Sequence, residues 1–233
     1  ITVLEIMGRN AGWLTAASAI AAYKGAGPDL IYLPEVVFDM DKFIEDATAI
    51  YKKNGNVIVA VSEGIKDKDG RYISEYGSDL AKTKDAFGHA QLGGLASTLA
   101  NILKERTGAK VRGIEFSLLQ RCAAHIGSLT DVNEAYMAGQ MAVRYAVEGK
   151  TDYMVAFERA EGPDYKCNIK LINLTDVANT EKKVPLEWIK KDNTGLTEDF
   201  IKYALPLIQG ESRPPMEDGV PRFAKLKKVL ATK

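Results

Sequence analysis

The chain has 233 residues, of which 46% are apolar and 27% are charged. At about 150 residues per domain this length fits one large domain or two small ones, and the ordinary globular composition excludes global disorder. Lysine and arginine total 31, as do aspartate and glutamate, so the formal net charge is zero. We therefore expect no binding of nucleic acid or of an anionic membrane through bulk electrostatics, although a local basic pocket for a small anion is compatible with this balance.

Cysteine and histidine are too sparse to indicate a disulfide framework or a metal site. The cysteines are Cys122 and Cys167, and the histidines are His89 and His125. They show neither C-x-x-C nor H-x-x-x-H spacing, so no metal ligand is predicted in this chain. No run of about 18 apolar residues and no basic-then-apolar leader occurs, so we predict no membrane span and no signal peptide, and we expect a cytoplasmic location.

The first third of the sequence alternates between strand-like and helix-like patterns. Strands are predicted at residues 1–6, 30–33 and 56–61, and helices at residues 8–24 and 40–54, the second capped by Asp39. This β-α-β-α-β order predicts a parallel sheet with helices on its faces. Because the first strand begins at residue 1 with no polar lead-in, we interpret the chain as a fragment that begins inside a fold. The alternative is a trimmed terminus.

The remaining elements follow a polar, turn-rich excursion over residues 64–88. Helices are predicted at residues 91–104, at about 130–147 with Thr130-Asp131 as cap, and at 184–190, 197–207 and 222–230. Strands are predicted at 110–117 and, as a hairpin, at 153–157 and 167–171. The last helix is basic, and we interpret its lysines as a solvated face rather than a nucleic-acid site.

The stretch from Met7 to Trp13, Met-Gly-Arg-Asn-Ala-Gly-Trp, carries the most chemical information, because it lies between a predicted strand and a predicted helix. Ligands of open parallel sheets bind beyond the carboxyl ends of the strands, and a helix N-terminus offers free N–H groups to anions. Gly8 permits close approach of the backbone, and Arg9 supplies a planar fork suited to phosphate oxygens. The motif predicts an oxyanion site, with a tight turn and a solvated arginine as the alternative.

Several further segments occur in the order and spacing of one known family. They are Leu33-Pro34-Glu35, the Val-Ala-Val-Ser-Glu sequence of residues 59–63, Leu118-Leu119-Gln120-Arg121, and Arg112 nine residues before Arg121. With Met7-Gly8-Arg9 they resemble the phosphofructokinase family over essentially the whole chain. The segment of residues 85–94, Asp-x-Phe-Gly-His-x-Gln-Leu-Gly-Gly, resembles most closely the members that use pyrophosphate.

The resemblance implies an α/β three-layer sandwich with a mostly parallel sheet, of which this chain is the acceptor-binding half. Residues 1–175 would form the domain that binds fructose 6-phosphate. Residues 176–233 would form a helical segment that packs on the amino-terminal half of the whole enzyme, which lies outside this chain. The resemblance also implies a homo-oligomer, a dimer or tetramer.

Residue roles also follow from the resemblance, position by position. Met7, Gly8 and Arg9 would hold the sugar near the reacting hydroxyl, with Arg9 as the catalytic residue close to the transferred phosphoryl group. Glu63 would accept hydrogen bonds from sugar hydroxyls; the alternative is an exposed carboxylate at a strand end. Arg121 would bind the 6-phosphate. Arg112 would bind the 6-phosphate in a neighbouring subunit's site; the alternative is a surface ion pair, for example with Glu115.

The sequence departs from the family pattern in two ways. Leu118 stands where many relatives place His or Tyr, and it cannot hydrogen-bond a phosphate; His125 is a candidate replacement, although a surface or capping role is favoured. The family's Gly-Gly phosphate loop and its Lys-Thr-x-Asp-x-Asp motif are absent. The donor pyrophosphate and the Mg²⁺ ion are therefore expected to bind outside this chain. ATP as donor and a non-catalytic sugar-phosphate-binding module remain the alternatives.

Overall fold

Four parallel strands form the central sheet. The computed structural model describes residues 1–76 and 94–230. The strands are β1 (Thr2–Ile6), β2 (Leu30–Tyr32), β3 (Ile58–Ser62) and β4 (Arg112–Glu115), in the order β2-β3-β1-β4. All three pairings are parallel. The predicted parallel α/β sheet is thereby confirmed.

The described residues also form seven α-helices and two antiparallel pairs of strands, besides several 3₁₀ turns. The helices are α1 (Trp13–Ala17), α2 (Ala19–Tyr23), α3 (Met40–Asn54), α4 (Leu95–Thr107), α5 (Leu129–Val147), α6 (Leu174–Val177) and α7 (Glu198–Ala204). The pairs are β5 (Tyr153–Arg159) with β6 (Cys167–Asn173), and β7 (Met216–Glu217) with β8 (Val220–Pro221). The predicted hairpin is confirmed. Among the described residues, no helix is both long and apolar enough to cross a membrane.

The two faces of the sheet bury two separate cores. Val3, Val59 and Val61 belong to one core together with residues of α3 and α4, and Ala60 belongs to the other together with Ala16 and Phe200. This division follows from the alternation of side chains along a strand. The second core also includes residues from 184 to 204, so this part of the C-terminal segment packs on the same sheet as β1.

The ends of α3 and α4 match the sequence predictions. The N–H of Lys42 donates to Asp39 Oδ1 at 3.0 Å, which is the N-cap interaction expected of aspartate. Gly55 follows α3 in the left-handed conformation, with φ of 76°. Gly108 does the same after α4, with φ of 66°.

Several predicted elements differ from the structure. The helix predicted from Gly8 begins only at Trp13 and is interrupted at Ser18, so residues 8–12 form a loop. The cap of α5 is Ser128 rather than Thr130-Asp131, because its hydroxyl accepts the N–H of Asp131 at 3.1 Å. Residues 222–230 form no regular structure, and the leucines of this predicted helix contact no core.

The short helix predicted at residues 184–190 is a single 3₁₀ turn, Leu186–Trp188. The predicted strand at 110–117 is shorter, Arg112–Glu115. The predicted motif at residues 85–94 lies almost wholly outside the described residues, as do residues 77–88 of the excursion predicted at 64–88.

Candidate functional site

The chain segments that leave β1 and β3 meet at the carboxyl edge of the sheet, together with the turn after β4. The N–H of Gly8 donates to Glu63 Oε1 at 3.3 Å, which joins the ends of β1 and β3. The N–H of Met7 donates to Gln120 Oε1 at 2.9 Å, which joins the end of β1 to the 3₁₀ turn Ser117–Arg121. The central strand β1 is flanked by β3 and β4. We call the region bounded by these bonds the crevice; it lies at the sheet edge where ligands of open α/β sheets bind.

Two glycines make this close approach possible. Gly8 has a φ of 153°, and a Cβ there would lie 2.8 Å from Ala11 O and 2.9 Å from Ser62 Oγ. The Ser62 hydroxyl donates to the carbonyl of Gly8. A Cβ on Gly64 would lie 1.6 Å from the carbonyl oxygen of Arg9. The backbone of Arg9 therefore packs directly on the residue after Glu63, which fixes these two predicted site residues relative to each other.

The guanidinium of Arg121 contacts an uncharged group, the sulfur of Met7. Its Nε and Nη2 lie 3.2 and 3.1 Å from the sulfur of Met7. A thioether is a weak acceptor, so the guanidinium retains most of its capacity for an anion. Arg121 is exposed and Arg9 is half-buried. The structure thus brings Met7, Gly8, Glu63 and Arg121 together with the backbone of Arg9, and the roles of these residues stay predictions.

Arg112 does not join this group. It pairs with Thr2 at the amino end of the sheet, opposite the edge that carries Glu63. Its side chain is exposed and has no ion-pair partner among the described residues, so the alternative pairing with Glu115 is not observed. A role in a neighbouring subunit's site stays a prediction.

Leu118 lies in the same 3₁₀ turn as Arg121 and is 67% exposed. Its neighbours Leu119 and Ile126 line an apolar cavity of about 380 Å³ with Ile6, Leu14 and Phe116. His125 is exposed and lines a different cavity, with residues 210–214. The surface role favoured for His125 is consistent with this position.

A buried carboxylate lies behind the site. Glu5 on β1 is 6% exposed, and its Oε2 accepts the N–H of Ala96 at the start of α4 at 2.8 Å. Burial raises the pKa of Glu5 to about 7, with smaller contributions from the charges of Glu115 and Glu63, against the lowering effect of the bond from Ala96.

No group of three or more His, Cys, Asp or Glu side chains within residues 1–76 and 94–230 could hold a metal ion. The site of the Mg²⁺ ion stays a prediction. The two cysteines are free thiols.

The sequence prediction assigns no role to two residues that hold this site together, Gln120 and Ser62. Gln120 belongs to the Leu-Leu-Gln-Arg motif, and in the structure its side-chain oxygen accepts the N–H of Met7. Ser62 belongs to the Val-Ala-Val-Ser-Glu segment, and in the structure its hydroxyl donates to the carbonyl of Gly8. Each of these polar residues directly precedes a motif residue, Arg121 or Glu63. Because the ends of parallel strands converge, this position was the sequence signal for a role in the site.

The fold is that of an α/β protein with a candidate ligand site at the carboxyl edge of a parallel sheet. Residues 1–114 match the family model described as Phosphofructokinase. The chain is 42% identical over 229 residues to the pyrophosphate--fructose 6-phosphate 1-phosphotransferase of Halomonas elongata, covering 98% of this chain and 54% of that protein. It is also 42% identical over 234 residues to the enzyme of the same name from Methylococcus capsulatus, covering 100% and 54%.

The crystal structure of the pyrophosphate-dependent phosphofructokinase from Nitrosospira multiformis superposes with a TM-score of 0.84 at 38% identity, covering 100% of this chain and 54% of that chain. The chain belongs to the phosphofructokinase family, so the resemblance and the fold class are confirmed. It spans about half the length of the relatives that it matches.

Proposed function

We propose that this chain is the acceptor-binding, carboxy-terminal part of a pyrophosphate-dependent 6-phosphofructokinase. The whole enzyme transfers a phosphoryl group from pyrophosphate to the 1-hydroxyl of fructose 6-phosphate. The products are fructose 1,6-bisphosphate and inorganic phosphate, and the hydroxyl proton leaves with a base outside this chain. The names of the relatives support the reaction.

The convergence of Glu63, Arg121 and the backbone of Arg9 at one crevice is the observation that carries this proposal. Glu63 uses Oε1 for the N–H of Gly8, so Oε2 is left to accept a sugar hydroxyl. Arg121 exchanges its contact with the sulfur of Met7 for the 6-phosphate. A hydrogen bond to a charged group contributes about 1.5–3 kcal/mol, so this exchange is favourable.

Arg9 is the residue of this chain that we place nearest the transferred phosphoryl group. Its backbone is fixed against Gly64, and its charge stabilises the negative charge that spreads over the phosphoryl oxygens during transfer. Preorganised charge of this kind contributes about 10²–10³-fold to kcat in measured cases. Leu118, in the same turn as Arg121, supplies an apolar wall beside the 6-phosphate rather than a hydrogen bond.

The donor, the metal and the oligomer belong to the same proposal. Pyrophosphate and Mg²⁺ would bind on the part of the enzyme outside this chain. Arg112, at the opposite end of the sheet, would reach the 6-phosphate of a neighbouring subunit, which requires a homo-oligomer. Its exposed side chain is compatible with that role.

An activity assay on the full gene product tests the reaction and the donor. Fructose 6-phosphate is supplied with either pyrophosphate or ATP, and fructose 1,6-bisphosphate is measured. We expect product with pyrophosphate and none with ATP, and a loss of at least about 100-fold in kcat for Arg9→Ala. Turnover with ATP alone would reverse the choice of donor. Binding of the sugar phosphate without turnover of either donor would identify a non-catalytic module.

A further inference from the structure

The loop that carries the Met-Gly-Arg motif is held by a distant part of the chain. We call residues 7–13 the acceptor loop and residues 180–184 the strap. The side-chain amide of Asn10 donates to Glu181 Oε1 at 2.5 Å, and the indole N–H of Trp13 donates to the carbonyl of Lys182 at 2.7 Å. Two points of the acceptor loop are therefore bonded to two successive residues of the strap.

Glu35 completes this connection from the side of the sheet. Its Oε1 accepts the N–H of Gly12 in the acceptor loop at 2.9 Å and the N–H of Val184 in the strap at 3.0 Å. Its Oε2 is buried and has no hydrogen-bond partner in the part of the chain that the structure describes. One carboxylate oxygen thus joins the end of β2, the acceptor loop and the strap.

The strap continues into an aromatic cluster that fixes its position. The ring of Trp13 lies 6.3 Å from Trp188, 6.4 Å from Phe200 and 5.5 Å from Tyr203, measured between ring centroids. Trp188 and Phe200 belong to or pack on the core that includes β1. Because the residues after the strap are anchored in this way, the strap can hold the acceptor loop rather than move with it.

We propose that Glu35 is a positioning residue for acceptor binding, acting with the strap. The bonds to Gly12 and Trp13 hold the acceptor loop where the N–H of Gly8 reaches Glu63 and where the backbone of Arg9 packs on Gly64. Residues 8–12 have no regular structure of their own, so without these bonds the loop loses its binding conformation. The inference rests on the proposed function for its ligand, and on the hydrogen bonds of Glu35, Asn10 and Trp13 for its geometry.

Two readouts on the 233-residue chain test this role. The first is the dissociation constant of fructose 6-phosphate by calorimetry. The second, which needs no ligand, is acrylamide quenching of the fluorescence of Trp13 and Trp188, the two tryptophans of the chain. Glu35→Ala is expected to raise the dissociation constant at least tenfold and to increase quenching. Glu35→Gln keeps an oxygen that can accept both N–H groups, so we expect it to restore binding to within about threefold of wild type.

Exposed positions supply the matched comparison. Glu181→Ala removes the bond from Asn10 and is expected to raise the dissociation constant about threefold, whereas Glu187→Ala, also exposed and close by, leaves it unchanged. A folded Glu35→Ala variant with wild-type binding would overturn the proposal. If Glu35→Ala does not fold, wild-type binding by Glu181→Ala overturns it instead. If the wild type binds no fructose 6-phosphate, the proposed function fails, and unchanged quenching in Glu35→Ala then overturns the positioning role.

Discussion

Three glutamates around the crevice have different environments and therefore different uses. Glu63 is half-buried and holds the N–H of Gly8, so it stays available to a ligand. Glu35 accepts the backbone N–H groups of Gly12 and Val184, so it joins the acceptor loop to the strap. Glu5 is buried beneath the site, and the N–H of Ala96 is its hydrogen-bond partner. Residue type alone does not separate these uses, since each glutamate follows or lies within a strand.

Glu5 makes the stability of the protein depend on pH. Its folded-state pKa of about 7 lies above the usual 4.5, so the folded protein binds this proton more tightly than the unfolded chain. Stability is therefore expected to fall as pH rises from about 4.5 to about 7 and to stay constant above that range. A shift of this size corresponds to a loss on the order of 3 kcal/mol. Glu5→Gln is expected to remove this loss.

Urea unfolding at pH 5 and pH 8 measures this effect as the difference between wild type and Glu5→Gln. The matched control is Glu105→Gln on the exposed surface of α4, which is expected to keep the wild-type difference between the two pH values. An equal pH dependence in Glu5→Gln and wild type would show that the carboxyl of Glu5 titrates normally in the folded protein.

Among the secondary-structure elements, the ends of helices α3 and α4 were predicted correctly, because they depend on interactions between residues close in sequence. Asp39 caps α3 through a bond three residues away, and Gly55 and Gly108 end helices through their own backbone conformation. These features depend on neighbouring residues alone, so the sequence pattern was sufficient. The convergence of Met7, Glu63 and Arg121 was also predictable, from family motifs and from the geometry of parallel strands.

The helix predicted from Gly8 illustrates where local signals fail. Its alanine-rich pattern continues from residue 11. However, the N–H of Gly8 donates to Glu63 and the N–H of Gly12 donates to Glu35. The second bond of Glu35 goes to Val184, 149 residues away. Contacts at such separations override helix propensity and leave no trace in the local sequence. The role of Glu35 and of the strap was therefore not predictable.

Helix α5 and helix α3 are long helices with opposite burial. α3 has 15 residues and fully buries Phe43 and Ala47, whereas α5 has 19 residues and buries none. Local opening costs less where few apolar side chains are buried. In hydrogen exchange followed by mass spectrometry, we expect the amides of α5 to exchange at least about tenfold faster than those of α3.

The exchange measurement has an internal reference in β3, where Val59, Ala60 and Val61 are fully buried. Its amides are expected to be among the slowest of the chain. Protection of α5 equal to that of α3 would mean that α5 is covered in solution, by another copy of the chain or by a contact that the described residues do not show.

At the scale of the whole molecule, the two ends of the chain contribute to one site. The second core combines β1 and α1 with α7, and the strap bonds the acceptor loop. The predicted division at residue 175 therefore separates two segments that share a core over part of their length. The packing of residues 176–233 on the amino-terminal half of the enzyme stays a prediction, since this chain spans about half the length of its relatives.

Calorimetric titration of fructose 6-phosphate into the 233-residue chain measures whether the crevice binds the acceptor sugar. Arg121→Ala is the test variant, and Arg106→Ala, an exposed arginine on α4, is the control. We expect the wild type and Arg106→Ala to bind equally and Arg121→Ala to bind at least about tenfold more weakly, since one charge-assisted contact is lost. Equal binding by Arg121→Ala, or no binding by a chain that circular dichroism shows to be folded, would contradict the account.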